Sequence, residues 1–247
     1  MSRRHGPLPT TPTPPSAPPL SLSLIALILA GCAVAPPPRV LFQDATLSIR
    51  LEADGRAEVL HSHPAKLTVE DLALLLAGVR VTKEPGTLTT ATNPIAPVPA
   101  FTSDEVRRLA PYLADAFAKA SPHEIVTFYR ASGEVTGQQT VTSGGMFLQG
   151  GVLLFVMANY RIRPYAAPAE EAVAVDMDAR DHPLLPIVRG GFAIAYEPPD
   201  AVVDPDRTGF AWRYPDENNV VIVDVSRVLS TRSPAPRSGP ARGLQPR

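Results

Sequence analysis

Strand and helix periodicities alternate along the first half of the chain. Between residues 46 and 51 apolar and polar side chains alternate, and this pattern predicts a strand with one buried face. Asp54-Gly55 is a strong turn signal, and residues 56–61 are predicted to return as the second strand of a hairpin. The first folded segment is therefore predicted to be a pair of antiparallel strands.

Two helices are predicted next, and each has a capping box at its start. Thr68 is followed three residues later by Asp71, and Thr102 is followed in the same way by Glu105. In such a pair each side chain bonds the backbone N–H of the other residue. Gly78 is placed to end the first helix.

Prolines mark the second helix and the segment before it. Apolar side chains between residues 106 and 120 follow one helix face, but Pro111 lies inside this pattern. Because proline has no N–H and crowds the preceding turn, Pro111 is predicted to kink the helix or split it in two. Pro122 marks its end, and residues 83–100, rich in proline and threonine, are predicted to form a loop.

The remainder of the chain is predicted to form strands separated by loops rich in proline, glycine and aspartate. Residues 152–157 are apolar without alternation, which predicts burial on both faces, and Ser143-Gly144-Gly145 predicts a bend or bulge. Helices early and strands late indicate an α+β fold, with a mostly antiparallel sheet and two helices in the N-terminal half. Beyond the first hairpin, strands are predicted over residues 79–82, 124–130, 134–142, 146–149, 152–161, 171–176, 192–196 and 219–225.

Composition allows a packed core and argues against nucleic-acid binding. Hydrophobic residues make up 45% of the chain, and 23 basic residues stand against 24 acidic ones, for a net charge of −1. This balance offers no basic patch of the kind that binds nucleic acid. Cys32 is the only cysteine, so no intramolecular disulfide can form.

That cysteine lies in a segment with the layout of an export signal. Arg3 and Arg4 precede an apolar run over residues 20–30, which ends in Leu29-Ala30-Gly31-Cys32. Leu29, Ala30, Gly31 and Cys32 together resemble the lipobox of bacterial lipoproteins. The resemblance implies that the Cys32 thiol receives a diacylglyceryl group and that a peptidase cuts before Cys32, which then anchors the chain through two or three acyl chains.

A transmembrane helix containing an ordinary cysteine is the competing interpretation of this segment. The apolar stretch over residues 20–35 spans about 16 residues, short of the roughly 20 that a spanning helix needs. The prolines at 36–38 then stop any helix. Because no aspartate follows Cys32, the resemblance implies the outer membrane and a domain that faces the periplasm.

Four segments are predicted along the chain. Residues 1–31 are the signal peptide, and residues 32–40 are a proline-rich tether. Residues 41–228 are a single α+β domain. Residues 229–247, which are basic and rich in proline, are predicted to be a disordered tail.

His61 and His63 are the candidate metal ligands. Two residues apart on a strand, their imidazoles would face the same side, and His123, His182 or a carboxylate would have to complete a site. The alternative is a pair of solvated histidines in a surface loop at a strand end.

Aromatic residues late in the chain are the candidate ligand-binding group. Aromatic rings near loops stack on sugars or peptides, but they also pack the edge of a core. The residues are Tyr196, Phe210, Trp212 and Tyr214.

No catalytic motif emerges from the sequence, and no cofactor is predicted. The leading hypothesis is a non-enzymatic lipoprotein with a structural, assembly or interaction role in the cell envelope. Its partners would be the membrane, through the lipid on Cys32, and other envelope proteins. The alternatives are a lipoprotein that binds a small molecule, glycan or peptide, and a metal-dependent hydrolase that uses His61 and His63.

Overall fold

A computed structural model describes residues 36–55, 60–83, 96–133, 139–163, 179–187, 191–204 and 219–231. These described residues belong to one compact unit. The helices with both ends in the described residues include α1 (Val69–Ala77), α2 (Ser103–Lys119), α3 (Val225–Ser230) and a 3-10 turn (Pro199–Ala201), and residues 179–181 are also helical. The strands are β1 (Arg39–Gln43), β2 (Leu47–Ala53), β3 (Val79–Lys83), β4 (Val98–Pro99), β5 (Glu124–Ser132), β6 (Thr140–Gln149), β7 (Val152–Ile162), β8 (Phe192–Tyr196) and β9 (Val220–Asp224).

The strands form two antiparallel sheets. The larger sheet has six strands in the order β1-β2-β5-β6-β7-β9, and the smaller has the order β4-β3-β8. Each pair of neighbours in both sheets is antiparallel. The predicted α+β class with a mostly antiparallel sheet is therefore confirmed, and the two longer helices lie in the N-terminal half as predicted.

The predicted hairpin partner of β2 is wrong. Leu60 and His61 belong to no strand, and residues 56–59 lie outside the described residues. Both edges of β2 are already paired, one with β1 and the other with β5, so no edge remains for a returning segment.

The predicted tether is shorter than expected. Because β1 begins at Arg39, the last two residues of the predicted tether are part of the sheet.

One long strand, β6, replaces two shorter predicted ones. Residues 134–138 lie outside the described residues, and β6 then continues through the glycines without a break. The predicted bulge is confirmed, because the pairing with β7 slips between Ser143 and Gly144. A Cβ on Gly144 would lie 2.1 Å from the carbonyl oxygen of Val156, so only glycine permits this close approach.

Both capping boxes form as predicted. Thr68 and Asp71 exchange hydrogen bonds at the start of α1, and Thr102 and Glu105 do so at the start of α2. Helix α2 runs unbroken through Pro111, so the predicted split does not occur. Pro111 lies on the exposed side of the helix, where water can satisfy the carbonyl that loses its partner.

The larger sheet is buried on both faces. One face packs against α1 and α2 through side chains such as Ile49, Phe128 and Phe155. The other face packs against the segments around Leu184 and Val203. Strand β7 alternates between the two cores, which confirms the predicted burial of residues 152–157 on both faces. The strands predicted over 192–196 and 219–225 correspond to β8 and β9, the latter ending at Asp224 where α3 begins.

The chain after the predicted domain boundary is only partly described. Helix α3 runs to Ser230, so the first two residues of the predicted tail are helical. Residues 232–247 and the strand predicted over 171–176 lie outside the described residues.

Gly78 ends α1, and its lack of a side chain is a packing requirement. Its backbone is in the ordinary right-handed helical region, so left-handed geometry does not demand glycine. A Cβ at this position would lie 2.3 Å from Cζ of Tyr196 and 2.7 Å from the carbonyl oxygen of Glu197. Glycine therefore allows α1 to approach β8.

We expect Gly78→Ala to lower the free energy of unfolding by about 2 kcal/mol, because overfilling a packed site forces its neighbours to move. Chemical denaturation of the two proteins measures the difference. Gly55→Ala is the matched control, since a Cβ at Gly55 meets nothing within 4 Å. Equal stability of the two variants would contradict the packing described for α1 and β8.

Candidate functional site

A groove of about 1100 Å³ lies between α1, the start of α2 and the end of β7. Its volume is slightly above the range of roughly 300–1000 Å³ that is usual for small-molecule sites. Strands β3 and β4 and the residue that follows α3, Thr231, also line it. The lining residues are Glu70, Ala73, Leu74, Ala77, Arg80, Val98, Pro99, Phe101, Thr102, Ser103, Val106, Arg107, Tyr160, Arg161 and Thr231.

The apolar part of this groove follows from the amphipathic pattern of α1. Leu72, Leu75 and Leu76 turn toward the sheet and are buried. The positions between and after them, Ala73 and Ala77, line the groove, and they stand one helical turn apart. With Glu70 and Leu74, which share this face, they form the side of the groove that α1 contributes. Phe101, Val106 and Tyr160, all buried, add apolar surface from the other elements.

The charged groups that line the groove are mostly cationic. Three guanidinium groups, those of Arg80, Arg107 and Arg161, stand against one carboxylate, that of Glu70. Arg80 is firmly held, because its guanidinium lies 2.6 Å from the Glu197 carboxylate and also donates to the carbonyl of Ala77. Arg107 pairs with Asp104 within α2.

A buried carboxylate, that of Glu105, fixes one end of the groove. Its Oε2 accepts the backbone N–H of Thr102 at 2.6 Å, and its Oε1 accepts from Arg130 on β5. Arg161 on β7 approaches the same carboxylate less closely, at 3.4 Å. Burial, and the neighbouring charge of Arg161, lower the pKa of Arg130, although Glu105 opposes this. Two guanidinium groups thus share one carboxylate, and Arg161 is the more weakly bound.

Arg161 also has an unusual backbone. Its φ is 46°, which makes it the one positive-φ residue other than glycine among the described residues. A long side chain in the left-handed region is disfavoured, and such residues cluster at ligand-binding and catalytic sites. The backbone N–H of Arg161 donates to the Thr142 hydroxyl at 3.2 Å, which helps to hold this conformation. Its side chain stays 39% exposed at the groove.

Sequence reasoning missed this groove. Its residues come from residues 70–80, residues 98–107, Tyr160 with Arg161, and Thr231, and these stretches are brought together only by the fold. The capping-box pattern did identify Thr102 and Glu105, but only as the start of a helix. The residues next to Arg161 in the sequence do not predict a positive φ. The register of β6 and β7 shifts beside Arg161, and this irregularity depends on how the two strands pair.

His61 and His63 are buried, so the interpretation as solvated histidines is wrong. Each is only 5% exposed, and they lie in an irregular segment rather than on a strand. Nε2 of His63 accepts the backbone N–H of Leu148 at 3.1 Å, and the N–H of Ser62 donates to the carbonyl of Leu148 at 2.7 Å. This segment thus satisfies the backbone of β6 beyond the last residue that pairs with β5.

A metal site at the histidines lacks a complete ligand set within the described residues. The two ring centroids lie 5.6 Å apart, and Nε2 of His61 is 3.2 Å from the Asp54 carboxylate. Across the described ranges, no group of three His, Cys, Asp or Glu side chains is arranged to hold a metal ion. The geometry that the structure does show is one of packing, since His61 lies against Phe147 and His63 against Phe117.

The predicted aromatic site is not assembled by the described residues. Tyr196 is buried against Gly78 and does not line the groove. Phe210, Trp212 and Tyr214 lie outside the described residues, as do Leu29, Ala30, Gly31 and Cys32 of the lipobox segment.

The buried imidazole of His63 makes the free energy of unfolding depend on pH. Burial and the neighbouring His61 lower the pKa of His63 from 6.5 to about 4. The unfolded chain therefore binds this proton more readily, so the stabilisation from neutral His63 is complete above about pH 6.5 and is lost as the pH falls through 4.

The His63→Gln variant keeps an acceptor for the N–H of Leu148 but cannot bind this proton. We expect its loss of unfolding free energy between pH 7 and pH 4 to be smaller than that of the unaltered protein by on the order of 2 kcal/mol.

Denaturation midpoints measured between pH 7 and pH 4 check this expectation. His123→Gln is the matched control, because His123 is exposed. An unchanged pH profile in the His63→Gln protein would show that another group titrates.

The chain matches no protein-family model, no curated protein and no solved structure. In the part of the chain that the structure describes, no helix is both long enough and apolar enough to cross a membrane.

Proposed function

We propose that this chain is a lipid-anchored protein of a bacterial cell envelope, an outer-membrane lipoprotein that faces the periplasm and acts by binding or assembly rather than by catalysis. The observation that carries the proposal is the segment Leu29-Ala30-Gly31-Cys32 after a basic and apolar leader. Lipid on Cys32 would hold the domain at the membrane, where its partners would be other envelope proteins.

The short stretch of sequence between Cys32 and the first strand supports an anchoring role. Seven positions separate Cys32 from Arg39, where β1 begins. An extended chain covers at most about 3.5 Å per residue, so the lipid and the first strand can be about 25 Å apart at most. The prolines at 36–38 favour an extended, semi-rigid connection. A domain held in this way works close to the membrane surface.

The polar groups buried in the domain support a role that does not require catalysis. The Ser143 hydroxyl donates to the carbonyl of Pro183 and accepts from Asn159, whose side chain also holds Leu185 and Ile187. The His63 imidazole bonds the backbone of β6. These groups hold irregular segments against the sheet, and that use accounts for their burial.

A second candidate function is the binding of a small molecule, and the groove favours it. A concave site with an apolar floor and a few charged groups at its rim is the usual form of a small-molecule site. The binding surface in this candidate is the groove between α1, α2 and β7, rather than the aromatic group predicted from the sequence.

We expect Cys32→Ala to abolish metabolic labelling by an alkyne-bearing palmitate and to release the protein from carbonate-washed membranes, because the thiol is the proposed attachment point of the diacylglyceryl group. Labelling and fractionation of the full chain in a bacterial host measure both effects. Ala35→Ser, just outside the cysteine segment, is the matched control and keeps both properties. Equal labelling of the Cys32→Ala protein and the control would contradict the anchor.

A further inference from the structure

We propose that the groove binds an amphiphilic carboxylate of the fatty-acid class, with its acyl chain along Ala73 and Ala77 and its carboxylate at Arg161. The inference deepens the second candidate function and rests on it. It does not depend on the lipid at Cys32. Its support is the combination of an apolar channel, an excess of guanidinium groups and a weakly held arginine with a disfavoured backbone conformation.

The floor of the groove fits a chain of methylene groups. Leu74, Phe101 and Val106 line it with apolar side chains, and Val98 remains 47% exposed beside them. Apolar surface of this kind gains free energy when it is removed from water. A peptide would bring an N–H and a C=O with every residue, and a floor of apolar side chains offers these groups no partners. The floor therefore favours an acyl chain.

The charge at the rim selects an anion. Guanidinium groups outnumber carboxylates among the lining residues by three to one. Arg80 and Arg107 each have a carboxylate of their own, in Glu197 and Asp104. Arg161 shares the Glu105 carboxylate with Arg130, so its positive charge is the least neutralised of the three and is available to bind an anion.

A carboxylate matches this arginine in geometry as well as in charge. The planar guanidinium donates two parallel hydrogen bonds to the two oxygens of a carboxylate. The Arg161 side chain is 39% exposed and its contact with Glu105 is long, at 3.4 Å, so it can turn toward a ligand without breaking a short ion pair. The fixed, disfavoured backbone at Arg161 holds the group at the groove before the ligand arrives.

Photo-labelling of the full chain in bacterial membranes tests this inference. The probe is a fatty acid that carries a diazirine and an alkyne, and peptide mass spectrometry locates the label. We expect label on peptides from α1 and β4, and roughly tenfold less label in Arg161→Gln, since hydrogen bonds between charged groups are strong. Ala73→Phe, which fills the channel, is expected to reduce labelling to a similar extent.

Two controls match these variants. Arg163→Gln removes a neighbouring exposed arginine that does not line the groove, and Ala118→Phe adds the same bulk to an exposed position of α2. Both are expected to label as the unaltered protein does. Equal labelling of Arg161→Gln and Arg163→Gln would overturn the role of Arg161, and label spread evenly over the domain would overturn the site.

Competition for photo-labelling of the unaltered protein is an independent test, because it uses no variant that could misfold. Excess dodecanoate is expected to remove the label, whereas dodecanol and acetate leave it, because each lacks one half of the proposed ligand. Equal competition by dodecanol would overturn the carboxylate. A chain that carries no lipid at Cys32 but is labelled at the groove would contradict the anchor alone, and a lipidated chain without label would contradict this inference alone.

Discussion

The buried carboxylate of Glu105 connects the elements on which the groove depends. It caps α2 through the N–H of Thr102, and it also binds guanidinium groups from β5 and β7. A carboxylate removed from water is costly unless each oxygen has a partner, and here the N–H of Thr102 bonds one oxygen while Arg130 bonds the other. One side chain therefore sets the position of a helix relative to two strands. The floor and the charged end of the groove follow from that position.

Elsewhere on the larger sheet, buried polar groups also hold neighbouring segments in place by hydrogen bonds. On one face, Asn159 and Ser143 hold the irregular segment around Leu185 by bonds to its backbone. At the end of β6, Ser62 and His63 take the place of a neighbouring strand by bonding both backbone groups of Leu148. Buried polar side chains thus bond backbone groups beside the regular pairing of the sheet, and these bonds satisfy both partners.

Local patterns predicted the parts of the fold whose cause is local. Thr68 with Asp71 and Thr102 with Glu105 are short-range pairs, and both helices start where these pairs place them. The bulge at Gly144 was also predictable, since glycine in a strand commonly marks a close approach. The partner of β2 was not, because strand pairing joins residues far apart in sequence, and β5 took the edge that residues 56–61 were predicted to fill. The burial of His63 and the convergence of Arg161 with Glu105 depend on the same long-range pairing, so the site could not be read from adjacent residues.

The anchoring of this domain by a lipid on Cys32 is our proposal, and it rests on the sequence of the leader. The most direct test is the intact mass of the protein extracted from the membrane of its native cell. We expect a chain that begins at Cys32 and carries at least the added mass of a diacylglyceryl group. An unmodified chain that retains residues 1–31 would contradict it.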